Sequence, residues 1–275
     1  MTSSIGWYKN QWLDIEKIFI AANDRGLKFG DGIFETILIK NNKPILLNEH
    51  IKRLEKSSRI LNITFKLDKL TLKQIIDEGI KKLSLDDDQF GSLRINYSRG
   101  LNKGRSLKID STFETNSTEN MWLEFYQIKP NFSPISVYIS QKEKRNEFSL
   151  ISKCKTFSYN QSVQALFEAS EKSFDDVILL NTSGEICCGS CFNLLIQRNQ
   201  QWITPRKESG CLEGIMIEKA LKLKVVKEEL IFPNFYKDDI IVAINSLSCR
   251  QIIKVNDLKF KSAFDPIYFW ELLYN

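Results

Sequence analysis

The sequence predicts a mixed α/β protein built in two parts. Three observations lead there: apolar runs of strand length alternate with segments of helical periodicity, no internal repeat is visible, and a polar stretch without periodicity, Asp110 to Asn120, interrupts the chain. With 275 residues and 43% hydrophobic content, the chain is long enough for one large domain or two smaller ones.

Taken in order, Ile33, Phe34, Ile37, Leu38 and Ile39 are dense enough for a buried strand, which Asn41-Asn42-Lys43-Pro44 ends in a turn. A helix follows, with Asn48 as its expected N-cap and Ile51, Leu54, Ser58 and Leu61 on one face. A second helix is expected from Thr71 to Leu83, bounded by Asp86-Asp87-Asp88. Ser92 to Ser98 alternates Leu93, Ile95 and Tyr97 against Arg94 and Asn96, the pattern of a half-buried strand. The Ser/Thr/Asn/Glu-rich stretch Asp110 to Asn120 reads as a surface loop, and the domain boundary is placed just behind it. This gives a small N-terminal α/β domain, 1–120, and a larger C-terminal one, 121–275. Beyond the boundary, strands are expected near Met121 to Gln127, Ile135 to Gln141, Val177 to Asn181, Asn193 to Arg198 and Ile240 to Ile244. Helices are expected at Gln161 to Lys172, Ile215 to Leu223 and Pro266 to Leu273.

Composition narrows the chemistry. Lys and Arg number 39 against 34 Asp and Glu, a net +5 spread over many short segments, which does not select nucleic acid and suits an anionic small substrate equally well. No stretch approaches the roughly 20 apolar residues of a membrane helix. Met1 to Trp12 lacks the apolar core of a signal peptide, so a soluble cytoplasmic protein with no membrane partner is expected. Six cysteines occur, with Cys187, Cys188 and Cys191 crowded together. Without histidines nearby or a second Cys pair at metal-site spacing, they read as free thiols in apolar packing, and no metal is expected. The lone histidine, His50, leaves little room for hydrolase triads or two-histidine schemes. Proton transfer then falls to Lys, Tyr, Cys or carboxylates.

Three segments gather glycine, charge and hydroxyl groups. Asp24-Arg25-Gly26-Leu27-Lys28-Phe29-Gly30-Asp31-Gly32-Ile33-Phe34-Glu35-Thr36 lacks the G-x-G-x-x-G of a dinucleotide loop and reads as a turn entering a strand. Ser209-Gly210-Cys211-Leu212-Glu213-Gly214-Ile215-Met216 is a glycine loop opening a helix. Backbone N–H groups and the helix dipole meet there, a generic phosphate cradle, although many such loops bind nothing. In Lys153-Cys154-Lys155-Thr156-Phe157-Ser158, Lys155 is either a desolvated amine or a solvated surface lysine.

In order and spacing these segments resemble the class IV aminotransferase family, pyridoxal-phosphate enzymes of fold type IV, over nearly the whole chain. The resemblance implies a two-domain, D-amino acid aminotransferase-like α/β fold with the cofactor, pyridoxal 5'-phosphate, in the cleft between the domains, and a homodimer. D-R-G-x-x-F-G-D-G-x-F-E-T stands from Asp24 to Thr36, and Asn48 to Leu54 is similar to the helix whose arginine holds the cofactor phosphate, a role that carries to Arg53. Lys-Thr-Phe-Ser resembles the K-x-L-N segment, which makes Lys155 the lysine that binds the cofactor covalently. Thr204-Pro205 with Gly210 to Met216 is similar to the phosphate loop and implies backbone contacts from Ile215 and Met216. Ile244-Asn245-Ser246-Leu247 resembles the N-[AS]-L of the family's lyase branch, with Asn245 at the phosphate. Ser98-Arg99-Gly100 through Gly104-Arg105 is similar to the same branch's S-R-G…G-R, so Arg99 and Arg105 are either grips for a substrate with two carboxylates or surface ion pairs. Phe34 is a further candidate for substrate contact.

Two departures stand out. Where the family carries the glutamate that pairs with the cofactor's pyridine nitrogen, this chain has Cys188, and a neutral thiol there makes a poor electron sink. Transamination should suffer more than an elimination driven by aromatisation, which tilts the expectation towards a lyase. Ile217 stands where an arginine is common. The rival readings are an aminotransferase of D-amino or branched-chain amino acids and a non-catalytic or cofactor-free homologue.

Overall fold

A computed structural model describes residues 4–65, 68–86, 89–102, 104–109, 120–260 and 264–274. The chain divides into two units, Met1–Lys129 with Cys154–Ser158, and Pro130–Lys153 with Tyr159–Asn275.

In the first unit, β1 (Ser4–Tyr8) and β2 (Gln11–Leu13) are followed by the short helix α1 (Arg25–Phe29) and the long strand β3 (Gly32–Lys40). After β4 (Lys43–Pro44) come the helices α2 (Leu47–Ile60) and α3 (Lys69–Leu83), then β5 (Phe90–Ser98) and β6 (Asn120–Ile128). The strands form an antiparallel sheet in the order β2-β1-β6-β5-β3-β4. Because β6 sits between β1 and β5, it belongs to this unit, and the division falls after Lys129 rather than at residue 120. Ile51 and Leu54 of α2 and Leu72, Ile76 and Ile80 of α3 pack on the sheet face formed by Ile37, Leu93 and Phe125. Each such side chain contributes roughly 1.5–3 kcal/mol on burial.

Local chemistry sets the ends of these elements. Asn41 and Asn42 take left-handed φ angles of 51° and 55°, so the turn is confined to two residues and Lys43–Pro44 already pairs as β4. Asp68 caps α3 by accepting from the Thr71 N–H at 3.0 Å. Helix α2 differs from expectation: it starts after Leu46, at φ 52°, without a side-chain cap, and Asn48 lies inside its first turn. Helix α1 was read as a turn in sequence, but Asp24 caps it through Gly26 N–H, and Gly30 closes it in the left-handed region. The polar stretch predicted as a loop lies, up to residue 119, outside the described residues.

The second unit contains β7 (Ile135–Arg145), α4 (Asn160–Glu171), β8 (Asp176–Asn181), β9 (Ile186–Gly189), β10 (Asn193–Arg198) and β11 (Gln201–Pro205). These are followed by α5 (Ile215–Lys222), β12 (Val226–Glu229), β13 (Ile240–Asn245), β14 (Ser248–Val255), β15 (Leu258–Lys259) and α6 (Pro266–Tyr274). The sheet runs β12-β11-β10-β13-β14-β7-β8-β9, with β15 on β14. It mixes parallel pairs, such as β7 with β8 and with β14, and antiparallel ones. Val137, Ile178, Leu194, Ile196, Ile241 and Ile252 form its core. Among the described residues, no helix is long and apolar enough to cross a membrane.

Candidate active site

Residues 155–157 run alongside the start of β3, although far from it in sequence. The Phe34 N–H donates to the Lys155 carbonyl at 2.9 Å, the Phe157 N–H donates to the Gly32 carbonyl at 3.0 Å, and Thr156 bridges Ile33. A glycine is required at position 32, because a Cβ there would lie 2.3 Å from the Phe157 ring. This pairing brings the half-buried Lys155 Nζ to 4.3 Å from the centre of the Phe34 ring, which also carries the Arg94 guanidinium at 3.7 Å. On the same sheet face, Phe34, Asn96 and Trp122 stand opposite one another across β3, β5 and β6, as do Thr36, Arg94 and Glu124. Phe157 packs against both Phe34 and Trp122. Arg94 Nε donates to Asn96 Oδ1 at 2.7 Å, while Asn96 and Trp122 both donate to Glu124 Oε1 at 2.8 Å. Tyr126 donates to Glu124 Oε2, and burial together with that carboxylate pushes its phenol up to about 12. The result is an aromatic wall edged with charge, with a lysine amine on it.

Glu35 points to the opposite face, towards α2. Its carboxylate accepts from Arg53 Nε and Nη2, both at 2.7 Å, and lies 2.7 Å from His50 Nδ1. Helical spacing places His50 and Arg53 on one side of α2, so a single carboxylate meets both. Burial alone would push Glu35 up, but Arg53 and then His50 outweigh it and hold the carboxyl at about 2. His50 moves the other way: burial pushes it down, Glu35 opposes, and the positive charges of Arg53 and Lys155 add to the lowering. The imidazole is therefore neutral, with Nδ1–H donating to Glu35. Arg53, expected at the cofactor phosphate, thus has two guanidinium donors committed to Glu35.

Arg99 is anchored in the fold. Its Nε donates to Asp31 Oδ2 at 2.8 Å, and its terminal nitrogens donate to the carbonyls of Asn62 at 2.5 Å and Leu61 at 2.8 Å. Asp31 also accepts from Arg25 at 2.7 Å. Arg105 lies exposed in the turn after Gly104.

In the second unit, α5 begins at Gly214 with no side-chain cap, which leaves the Ile215 and Met216 N–H groups at a bare helix start. Asn193 Nδ2 donates to the Leu212 carbonyl at 2.9 Å, and a Cβ at Gly214 would lie 1.9 Å from Asn193 Oδ1. The loop behind is held by Glu185, which accepts from Ser209 and Arg206, both at 2.6 Å. Asn245 turns β13 into β14: its Oδ1 accepts from Leu247 N–H and Ser248 Oγ, and its amide donates to the Cys191 carbonyl at 3.3 Å. Cys187, Cys188 and Cys211 are buried among Ala165, Ala169, Val177 and Leu179, whereas Cys191 is exposed. Among the described residues, no group of three potential ligands could hold a metal.

The sequence matches the description amino-transferase class IV over residues 32–255. The chain belongs to that family. It is 26% identical to the aminodeoxychorismate lyase of Bacillus subtilis over 242 residues, 82% of this chain and 78% of that protein. It is 27% identical to a Synechocystis protein named "Probable branched-chain-amino-acid aminotransferase", over 80% of this chain and 72% of the other. An aminotransferase from Brucella abortus, solved with pyridoxal phosphate bound, superposes with a TM-score of 0.82 at 17% identity and covers 99% of this chain and 98% of its own. The fold is the type IV fold of this family, whose cofactor is pyridoxal phosphate.

The class IV residues present fit that cofactor chemically. A primary amine rests on an apolar ring at Lys155, and an uncapped helix start suited to phosphate follows a glycine that no larger residue could replace without displacing Asn193. Sequence reasoning missed Arg94 and Glu124, and it did not pair Glu35 with His50 and Arg53. Signals for both existed. Arg94 occupies the outward phase of the Leu93, Ile95, Tyr97 alternation, and Glu35 is a carboxylate inside an apolar strand, which demands buried partners.

Proposed function

We propose that this class IV protein is a lyase that converts 4-amino-4-deoxychorismate to 4-aminobenzoate and pyruvate, the route by which a folate precursor is made. The observation that carries the reading is the wall of tilted aromatic rings, Phe34, Phe157 and Trp122, with the Lys155 amine and the Arg94 guanidinium on the same Phe34 ring. A ring-shaped dicarboxylate suits such a wall better than a small aliphatic amino acid does. The relation to the Bacillus subtilis lyase supports it.

Proposed cofactor contacts are Lys155, Arg53, the backbone of Ile215 and Met216, Asn245 and Cys188. When bound, pyridoxal phosphate supplies an electron-withdrawing ring that stabilises negative charge next to the substrate nitrogen. Lys155 Nζ, in its neutral form, is the base that takes the proton from the ring carbon bearing that nitrogen. Phe34 holds the amine in place from below. The substrate's bond from the ring to its side-chain oxygen then breaks, the side chain leaves as an enolate that takes up a proton to become pyruvate, and the ring becomes aromatic. Of the cations proposed to hold substrate carboxylates, Arg99 is tied to Asp31 and two carbonyls, so the grip falls to the exposed Arg105, while Arg94, held by Asn96 and stacked on Phe34, sets the positive charge of the wall. A cytoplasmic homodimer completes the proposal.

The test is release of 4-aminobenzoate and pyruvate from 4-amino-4-deoxychorismate generated in situ, by wild type and by Lys155→Ala. Product from wild type alone is expected. Equal product from both would remove Lys155 from the chemistry, and turnover only of D-amino or branched-chain amino acids would replace the lyase with a transaminase.

A further inference from the structure

Glu185, just ahead of β9, is only 6% exposed, and its carboxylate draws three donors. Oε2 accepts from the fully buried Ser209 hydroxyl at 2.6 Å and from Asn181 Nδ2 at 3.3 Å, and Oε1 accepts from Arg206 Nη2 at 2.6 Å. Burial pushes the carboxyl up, but Ser209 and Arg206 outweigh it and hold it below the usual carboxylate range. An ionised group this buried is stable only when its partners are fixed. Its own turn is fixed from behind. The N–H groups of Glu185 and Ser183 donate to Asn181 Oδ1 at 2.8 and 3.1 Å, and Glu147 accepts from the Thr182 and Ser183 hydroxyls at 2.8 and 3.2 Å. From this braced turn Glu185 reaches the loop that leads into α5. In that loop Lys207–Ser209 forms a single 3₁₀ turn closed by Gly210 at φ 88°, where a Cβ would lie 2.7 Å from the Glu147 Cα. Gly214, at the start of α5, follows a few residues on. The loop is thus pressed against the Glu147 backbone at Gly210 and held through Ser209 and Arg206 by Glu185. Arg206 shows that Glu185 sets the pose: its Nε is buried without a hydrogen-bond partner, a cost the side chain bears while Nη2 reaches the carboxylate.

We propose that Glu185 is a positioning residue for the cofactor phosphate: by holding Ser209 and Arg206 it fixes the loop that presents the Ile215 and Met216 N–H groups. The statement rests on the reading that places the phosphate at the start of α5. Glu185 itself makes no contact with the cofactor in this account. Paired with Arg206 it forms a neutral ion pair behind the loop, so it fixes the backbone donors without adding net negative charge against an anion.

The experiment is titration of the full chain, freed of cofactor by dialysis, with pyridoxal 5'-phosphate and separately with pyridoxal, which lacks the phosphate. Visible absorbance reads the bound fraction, and the ratio of the two dissociation constants reads the phosphate contacts alone. Glu185→Gln should weaken pyridoxal phosphate about tenfold, the worth of one hydrogen bond to a charged group, and leave pyridoxal nearly unaffected. Ser209→Ala removes one donor and keeps the carboxylate; it should narrow the ratio in the same direction, and it carries the test if Glu185→Gln does not fold. Asp239→Asn, which disturbs the pair with Arg198 at 3.0 and 2.8 Å elsewhere in the same unit, should lower the melting temperature and leave the ratio unchanged. A ratio that stays at the wild-type value in folded Glu185→Gln or, failing that, in Ser209→Ala, or that Asp239→Asn narrows as much, overturns the positioning role while the phosphate reading stands. Wild type that binds both compounds equally overturns the phosphate reading of the α5 start, and the positioning role with it.

Discussion

Replacing Glu35 by Gln keeps the shape of the side chain and removes the charge that Arg53 and His50 are built around. The wild-type carboxyl is held at about 2 against an ordinary 4.5. A depression of that size corresponds to about 3 kcal/mol in favour of the folded state at neutral pH. With the carboxylate side chain only 1% exposed, solvent screens little of it. The sign follows from the depression: the contribution is complete above pH 4.5 and is lost as pH falls towards 2. Denaturant unfolding of wild type and Glu35→Gln at a series of pH values reads both quantities. The variant should be less stable by about 3 kcal/mol at neutral pH with an unchanged slope, and the gap should close on acidification. A loss under about 1 kcal/mol, or a gap that persists at the acid end, would refute the view that this carboxylate is the counter-ion of Arg53.

Three further outcomes are expected. Gly214→Ala places a Cβ where Asn193 Oδ1 stands, so it should break the Asn193 link to Leu212 and cost about 1–3 kcal/mol of stability, with weaker retention of cofactor on dialysis. Arg105→Gln should raise KM for an anionic substrate about tenfold while leaving the melting temperature nearly unchanged, whereas Arg99→Gln, which unties Asp31 and two carbonyls, should lower the melting temperature instead. Lys155→Ala should fold with little loss of stability but lack the yellow colour of wild type, a colour that borohydride should bleach.

The core elements were legible in sequence where one physical signal dominated. Strand β3 announced itself by an apolar run, β5 by alternation, and α3 by helical spacing, and each lies within a few residues of its expected place. Short edge strands such as β2, β4 and β15 carried no such signal, since two or three residues hold no period. The α2 start was misplaced because Asn48 has capping chemistry, yet the chain enters the helix through a left-handed Leu46 instead. Motif spacing names candidate residues, but not their partners. Lys155 meeting Phe34 and Arg53 meeting Glu35 are contacts between distant segments that only the folded chain brings together. Arg99 shows the converse: a motif position that suggested substrate binding proved to be tied to Asp31 and the end of α2.

The most direct measurement of the central claim is turnover of 4-amino-4-deoxychorismate with no 2-oxo acid present. An elimination needs no amino acceptor, so equal amounts of 4-aminobenzoate and pyruvate should accumulate over many turnovers. No 4-aminobenzoate from yellow, folded protein that instead passes the substrate's amino group to an added 2-oxo acid would contradict the lyase and leave a transaminase in its place.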